Sequence, residues 1–258
     1  MTPRQPPVAL TCGEPAGVGP ELAVKAWQAL RDDLPFFWIG DPRHLPKDCP
    51  VVEISSASEA ENAATCGLPV LRHDFPVPAT AGQANPDNAQ GVIDVIARAV
   101  DMVTAGEASA VCTAPIHKKA LKDGAGFAFP GHTEYLAALA GVDRVVMMLA
   151  SAQLRVVPAT IHIALKDVAQ ALTPQVLRET IEITATGLRQ QFGIPALRIT
   201  VAGLNPHAGE GGAMGQEELD WINGLINEMG QEGFDLRGPL PADTMFHAAA
   251  RTRYDAAV

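Results

Sequence analysis

Short apolar runs alternate with amphipathic stretches along the whole chain, and their periods separate strands from helices. Residues 8–12 (VALTC), 36–40 (FFWIG), 51–54 (VVEI) and 108–113 (ASAVCT) are apolar or β-branched runs, which predicts buried strands. A weaker run at 69–72 predicts one more strand within an otherwise irregular 55–85. Val92, Val95, Ile96, Ala99, Val100 and Val103 form one buried helical stripe, opened by Asn85 as N-cap and Pro86 at the first position. In the second half, 143–151 and 154–157 read as a hairpin. Residues 159–165 (ATIHIAL) read as a strand, with His162 on the face opposite Ile161 and Ile163. Thr173-Pro174 caps a long helix through Leu177, Ile181, Ala185 and Leu188. A strand at 197–202 (LRITVA) and a helix over 216–229 follow, and 254–258 (YDAAV) begins a last buried strand. Strands alternating with helices predict an α/β protein.

Composition narrows this. With 258 residues, 47% of them apolar, and a mean hydropathy of +0.09, the chain fills one large α/β domain or two smaller lobes. No apolar run reaches the roughly 18 residues of a membrane span. The N-terminal stretch carries no apolar segment of signal-peptide length, so the expected compartment is the cytoplasm, without a membrane partner. Net charge is −10 and no Lys/Arg cluster exceeds two residues, which argues against a nucleic-acid partner. Any anion site must then be assembled locally, from glycine amides and a few cations. Cys12, Cys49, Cys66 and Cys112 lack CxxC spacing; three read as small core residues, and no catalytic thiol is expected.

Candidate chemistry centres on 203–215, GLNPHAGEGGAMG, between a predicted strand and a predicted helix. Ligands in open α/β sheets bind at the carboxyl ends of strands. Glycines there let backbone approach a ligand, and His207 is the loop's one imidazole. The earlier glycine loop, 13–21 (GEPAGVGPE), lacks the GxGxxG dinucleotide spacing and reads as a structural turn. After the strand at 108–113, Lys118 reads equally as an anion ligand or a solvated helix start, Lys119 as the latter. Thr133 is placed to cap a helix over 134–140, which sets His132 beside exposed amides. Asp243 reads as the cap of a helix over 244–251. His162 and His207 both fall near predicted strand ends and suit a metal or phosphate site, although imidazoles 45 residues apart are a weak signal.

Taken together, GEPAGVGPEL (13–22), TAPIHKKAL (113–121), FPGHTEYLA (129–137), ATIHIAL (159–165), GLNPHAGEGGAMGQEE (203–218) and GPLPADTMF (238–246) run in one order across nearly the whole chain. The set resembles the 4-hydroxythreonine-4-phosphate dehydrogenase family of pyridoxal phosphate biosynthesis. That resemblance implies a two-lobed α/β/α fold like isocitrate and isopropylmalate dehydrogenases, with the active site in the inter-lobe cleft of a homodimer. Lobes of 1–125 and 126–258 are expected, divided in the Gly-rich stretch 124–131. The implied reaction is oxidation of 4-phosphooxy-L-threonine at C3 by NAD or NADP with loss of CO2, assisted by Zn2+, Mg2+ or Co2+. His162 and His207 match the family's metal positions, and His132 and Thr133 its substrate contacts. Lys118 is a candidate for anion binding, Asp243 for orientation or proton transfer. Ala213 stands where many members carry histidine. The family's third metal histidine lies in a YHDQ-type motif after a YDAV-like strand. Here that strand is 254–258, so the chain is expected to lack the segment that would complete the first lobe and much of the dinucleotide surface, and to hold metal weakly. Three alternatives share the pattern: a dehydrogenase of 4-phosphoerythronate or 4-phosphothreonate, a phosphate acyltransferase needing neither metal nor dinucleotide, and an inactive truncated homologue.

Overall fold

The computed structural model describes residues 5–258, which separate into two α/β units, one running to Asp143 and the other from Arg144 to Val258. In the first unit the order is β1 (Val8–Thr11), α1 (Gly19–Leu30), β2 (Phe36–Gly40), β3 (Val51–Ile54), α2 (Ala60–Ala64), β4 (Leu68–Arg72), α3 (Ala89–Thr104), β5 (Val111–Cys112), α4 (Lys118–Ala125) and α5 (His132–Ala140). The strands form one parallel sheet in the order β3-β4-β2-β1-β5. All five residues of β2 are buried, as expected of a central parallel strand covered on both faces. Asn85 caps the turn leading into α3, its side chain accepting from the Asp87 N–H, and the predicted stripe of Val92, Val95, Ile96 and Ala99 lies in the core.

Asp41, wholly buried just after β2, ties two strand ends together. Its carboxylate accepts from Arg43 Nε and Nη2 and from the Phe75 N–H beyond β4. Burial opposes its charge, but the guanidinium and backbone N–H groups outweigh that and hold the carboxyl well below the usual carboxylate range.

The order of strands reverses between β1 and β5, the switch point where ligands of open α/β sheets lie. The loop after β1 closes there on the segment after β5: the Glu14 N–H donates to Pro115 O at 2.8 Å. Gly13 takes φ +66°, and a Cβ on it would sit 2.5 Å from Pro115 O, so only glycine fits.

The Gly-rich stretch at 124–131 does not divide the chain. Phe127 and Tyr135 belong to the first unit's core, and the Tyr135 hydroxyl donates to Ile93 O at 3.3 Å, which carries α5 with the first unit and moves the division to Asp143.

The second unit comprises β6 (Leu149–Ala150), β7 (Arg155–Val156), α6 (Val168–Ala171), α7 (Pro174–Gln190), β8 (Arg198–Ala202), α8 (Asn223–Gln231), β9 (Asp235–Leu240), α9 (Ala242–Met245), α10 (Ala248–Arg251) and β10 (Ala256–Ala257). Its sheet runs β6-β7-β10-β8-β9, with only β6 antiparallel. Leu177, Ile181 and Leu188 of α7 pack with Ile199 and Val201 of β8 and with Leu225, Ile226 and Met229 of α8. Thr173 caps α7 as the sequence suggests, its Oγ1 accepting from the Val176 N–H at 3.2 Å. The final apolar run lies mid-sheet: β10 pairs with both β7 and β8.

Several expectations need correction. Residues 159–165 are not a strand: Pro158 has no N–H to continue the ladder after β7, and His162 turns the backbone into the left-handed region at φ +58°. Of the cysteines only Cys12 is buried; Cys49 is partly exposed, and Cys66 and Cys112 are exposed. Strand β9, with Gly and Pro in its sequence, gave no strand signal.

Candidate active site

In the first unit, the starts of α4 and α5 bring Lys118 and His132 together. His117 caps α4, its Nδ1 accepting from the Ala120 N–H at 3.0 Å, which places Lys118 at the first helical position. Helix α5 begins at His132 with Gly131 as its cap, so Thr133 lies inside the first turn and does not cap the helix as the sequence suggested. A Cβ on Gly131 would lie 3.6 Å from Lys118 Nζ, so the ammonium stands against the helix start. His132 is half-buried, and its Nε2 is shielded from solvent with no hydrogen-bond partner among the described residues. Burial, then the Lys118 charge, pushes its pKa below the ordinary histidine range. A neutral imidazole with one unpartnered nitrogen, an ammonium and the N-terminus of a nine-residue helix are groups of the kind an anion takes. Lys119 is excluded from it by its pairing with Asp123 one turn on.

In the second unit, the carboxyl ends of adjacent strands β8 and β9 carry His207 and Asp243, whereas His162 lies in the segment after β7. The Gly203 N–H donates to Leu240 O at 2.8 Å, fastening the 203–215 loop to the end of β9. Residues 207–211 all take positive φ, a left-handed turn. Glycines 209 and 211 tolerate this, whereas His207, Ala208 and Glu210 each sustain a cost of roughly 1–2 kcal/mol. The turn sets His207 Nδ1 3.6 Å from Asp243 Oδ2, both side chains about half exposed. Asp243 lies within the short α9 and does not cap the later helix; His247 does so for α10, its Nδ1 accepting from Ala250 N–H. His162 is exposed.

Two imidazoles, with a carboxylate beside one of them, are donors of the kind a divalent metal takes, although no three His, Cys, Asp or Glu side chains converge among the described residues.

The model of the family described as pyridoxal phosphate biosynthetic protein PdxA matches residues 33–258. The chain belongs to the PdxA family. It is 63% identical, over its whole length and 79% of the relative's, to the 4-hydroxythreonine-4-phosphate dehydrogenase of Ruegeria sp. (strain TM1040). The protein of that name from Paracoccus denitrificans is 59% identical over 98% of this chain and 78% of its own. The crystal structure of 4-hydroxythreonine-4-phosphate dehydrogenase from Klebsiella pneumoniae superposes with a TM-score of 0.90 at 30% identity, covering 100% of this chain and 80% of that one.

Within this PdxA chain, sequence reasoning passed over the groups that hold the His207 turn in place. Glu218 is 2% exposed and accepts from the Asn205 N–H at 2.7 Å and Asn205 Nδ2 at 2.8 Å. Glu217 accepts from the same Nδ2 at 2.7 Å. The signal was a pair of carboxylates soon after a glycine loop, which reads most simply as an acidic helix start.

Proposed function

We propose that this PdxA-family chain is an NAD- or NADP-dependent dehydrogenase that oxidises 4-phosphooxy-L-threonine at C3. The oxidised acid then loses CO2 to give 3-amino-2-oxopropyl phosphate, in pyridoxine 5′-phosphate biosynthesis. What carries this reading is the 63% identity, spanning every residue of the chain, to a dehydrogenase of that name. Lys118, His132 and the α5 amides bind the substrate's anionic oxygens, His132 Nε2 being the atom with hydrogen-bonding capacity to spare. Thr133, on the same turn, contributes a hydroxyl to that grip. His162 and His207 hold a divalent metal (Zn2+, Mg2+ or Co2+), and Asp243 orients His207 or moves a proton. When bound, such a metal lowers the pKa of the substrate hydroxyl and orients C3 for hydride loss. The reading is tested by dinucleotide reduction against 4-phosphooxy-L-threonine, 4-phosphoerythronate and 4-phosphothreonate, with CO2 release measured in parallel. Preference for either of the latter two reassigns the substrate. Acyl transfer to phosphate without dinucleotide contradicts the dehydrogenase assignment.

The partner we propose is a second copy of the chain. Leu149 on edge strand β6 is 58% exposed and Leu165 89%, with Val145 and Ile163 also exposed in the same unit. An open sheet edge and exposed apolar side chains are both features of association surfaces. No described helix is long and apolar enough to cross a membrane. We assign the cytoplasm, where this substrate class and a nicotinamide dinucleotide are both available.

A further inference from the structure

The buried Glu218 carboxylate has no part in the chemistry above, yet the turn that presents His207 is built round it. Both its oxygens are engaged by Asn205, two residues before His207: Oε1 by the backbone N–H, Oε2 by the side-chain amide. The approach is close on two more sides. A Cβ on Gly209 would lie 2.7 Å from Oε2 and one on Gly203 3.3 Å from Oε1, so the glycines flanking His207 make room for this carboxylate. Glu218 opens a π-helical turn, Glu218–Ile222, ahead of α8. Its own carbonyl is held by Asn223 Nδ2 at 2.6 Å. Such turns inside helices are frequent at functional sites.

A left-handed turn with three non-glycine residues is not the backbone's own preference and persists only where its surroundings impose it. At the His207 end the side-chain contacts of Asn205 with Glu218 and Glu217 hold it, beside the backbone hydrogen bonds from Ala208 N–H to Asn205 O and from Gly203 N–H to Leu240 O. We propose that Glu218 is a positioning residue. Through Asn205 it fixes the left-handed turn that sets the His207 imidazole beside Asp243. This rests on the reading of His207 as a metal donor.

The test compares wild type, Glu218→Gln and His207→Ala in the full chain. Each is measured by Zn2+ affinity, by amide hydrogen exchange across 199–215 without metal, and by Tm. Glu218→Gln keeps the shape of the side chain, so it opens no cavity, and it leaves an amide facing the Asn205 amide. Exchange at Asn205 and Ala208 should speed at least tenfold while Ile199 and Val201 in β8 keep their protection. Zn2+ affinity should fall about 10- to 100-fold. The triple variant N205D/E217Q/E218Q, in which donors and acceptors exchange sides, should recover most of both. Unchanged exchange and unchanged Zn2+ affinity beside a lowered Tm overturn the proposal and leave Glu218 a packing residue. If His207→Ala leaves Zn2+ affinity unchanged, the metal reading of His207 fails. The exchange at Asn205 and Ala208 then still decides whether Glu218 holds the turn.

Discussion

His207 and Asp243 reach a separation of 3.6 Å from adjacent parallel strands, β8 and β9, whose carboxyl ends are joined by the Gly203–Leu240 hydrogen bond. A spacing of this kind is too long for a hydrogen bond, and it leaves the carboxylate beside the ring as the neighbour placed to orient it. Replacing Asp243 by Asn keeps the shape and removes the charge. Kinetics should show kcat/KM reduced about 10- to 100-fold, and because both side chains are half exposed, Tm should hardly move.

His132 gives a pH prediction with a definite sign. Its folded-state pKa is depressed, by burial first and Lys118 second, so protonation favours the unfolded chain. Its stabilising neutral form is fully present above the unfolded value of about 6.5. The contribution is lost as pH falls from there toward the depressed folded pKa. Chemical denaturation of His132→Gln should show less acid weakening across that window than wild type. In Lys118→Met, an NMR titration of the His132 ring should move its pKa upward; no movement would place the ammonium too far away to matter.

Much of the scaffold was legible from periodicity, for identifiable reasons. The α3 and α7 stripes are long, and their Asn-Pro and Thr-Pro starts have a single good reading; both caps form as expected. Failures cluster where backbone leaves the common regions. ATIHIAL has strand composition, but Pro158 and the left-handed His162 override it. The π turn at Glu218 shifts helical phase just where a sequence pattern presumes an unbroken helix. Residue types at the candidate site were visible because imidazoles, lysine and glycine loops are rare enough to notice. Their supports were not: Asn205 and Glu218 are 13 residues apart, and nothing in their spacing announces a contact.

Asp41 makes a stability prediction independent of catalysis. Its depressed pKa means that the stability it supplies is present above the ordinary carboxylate range and is lost as pH falls toward the folded value. Asp41→Ala removes hydrogen bonds to a charged group, and denaturation at neutral pH should show a loss of about 1.5–3 kcal/mol. The gap from wild type should narrow in strong acid.

The open edge of the second unit also carries a consequence. If a second copy covers β6, a charged residue in place of Leu149 should shift light-scattering mass toward the monomer without altering far-UV circular dichroism. Unchanged mass would leave this side chain outside the interface.

The most direct measurement is a Zn2+ titration of wild type, His162→Ala, His207→Ala and the double variant. If both imidazoles serve one ion, each single substitution removes most of the binding and the double variant loses no more than the worse single one. Binding that survives the loss of either histidine, or losses that simply add, would show that the two rings do not share an ion.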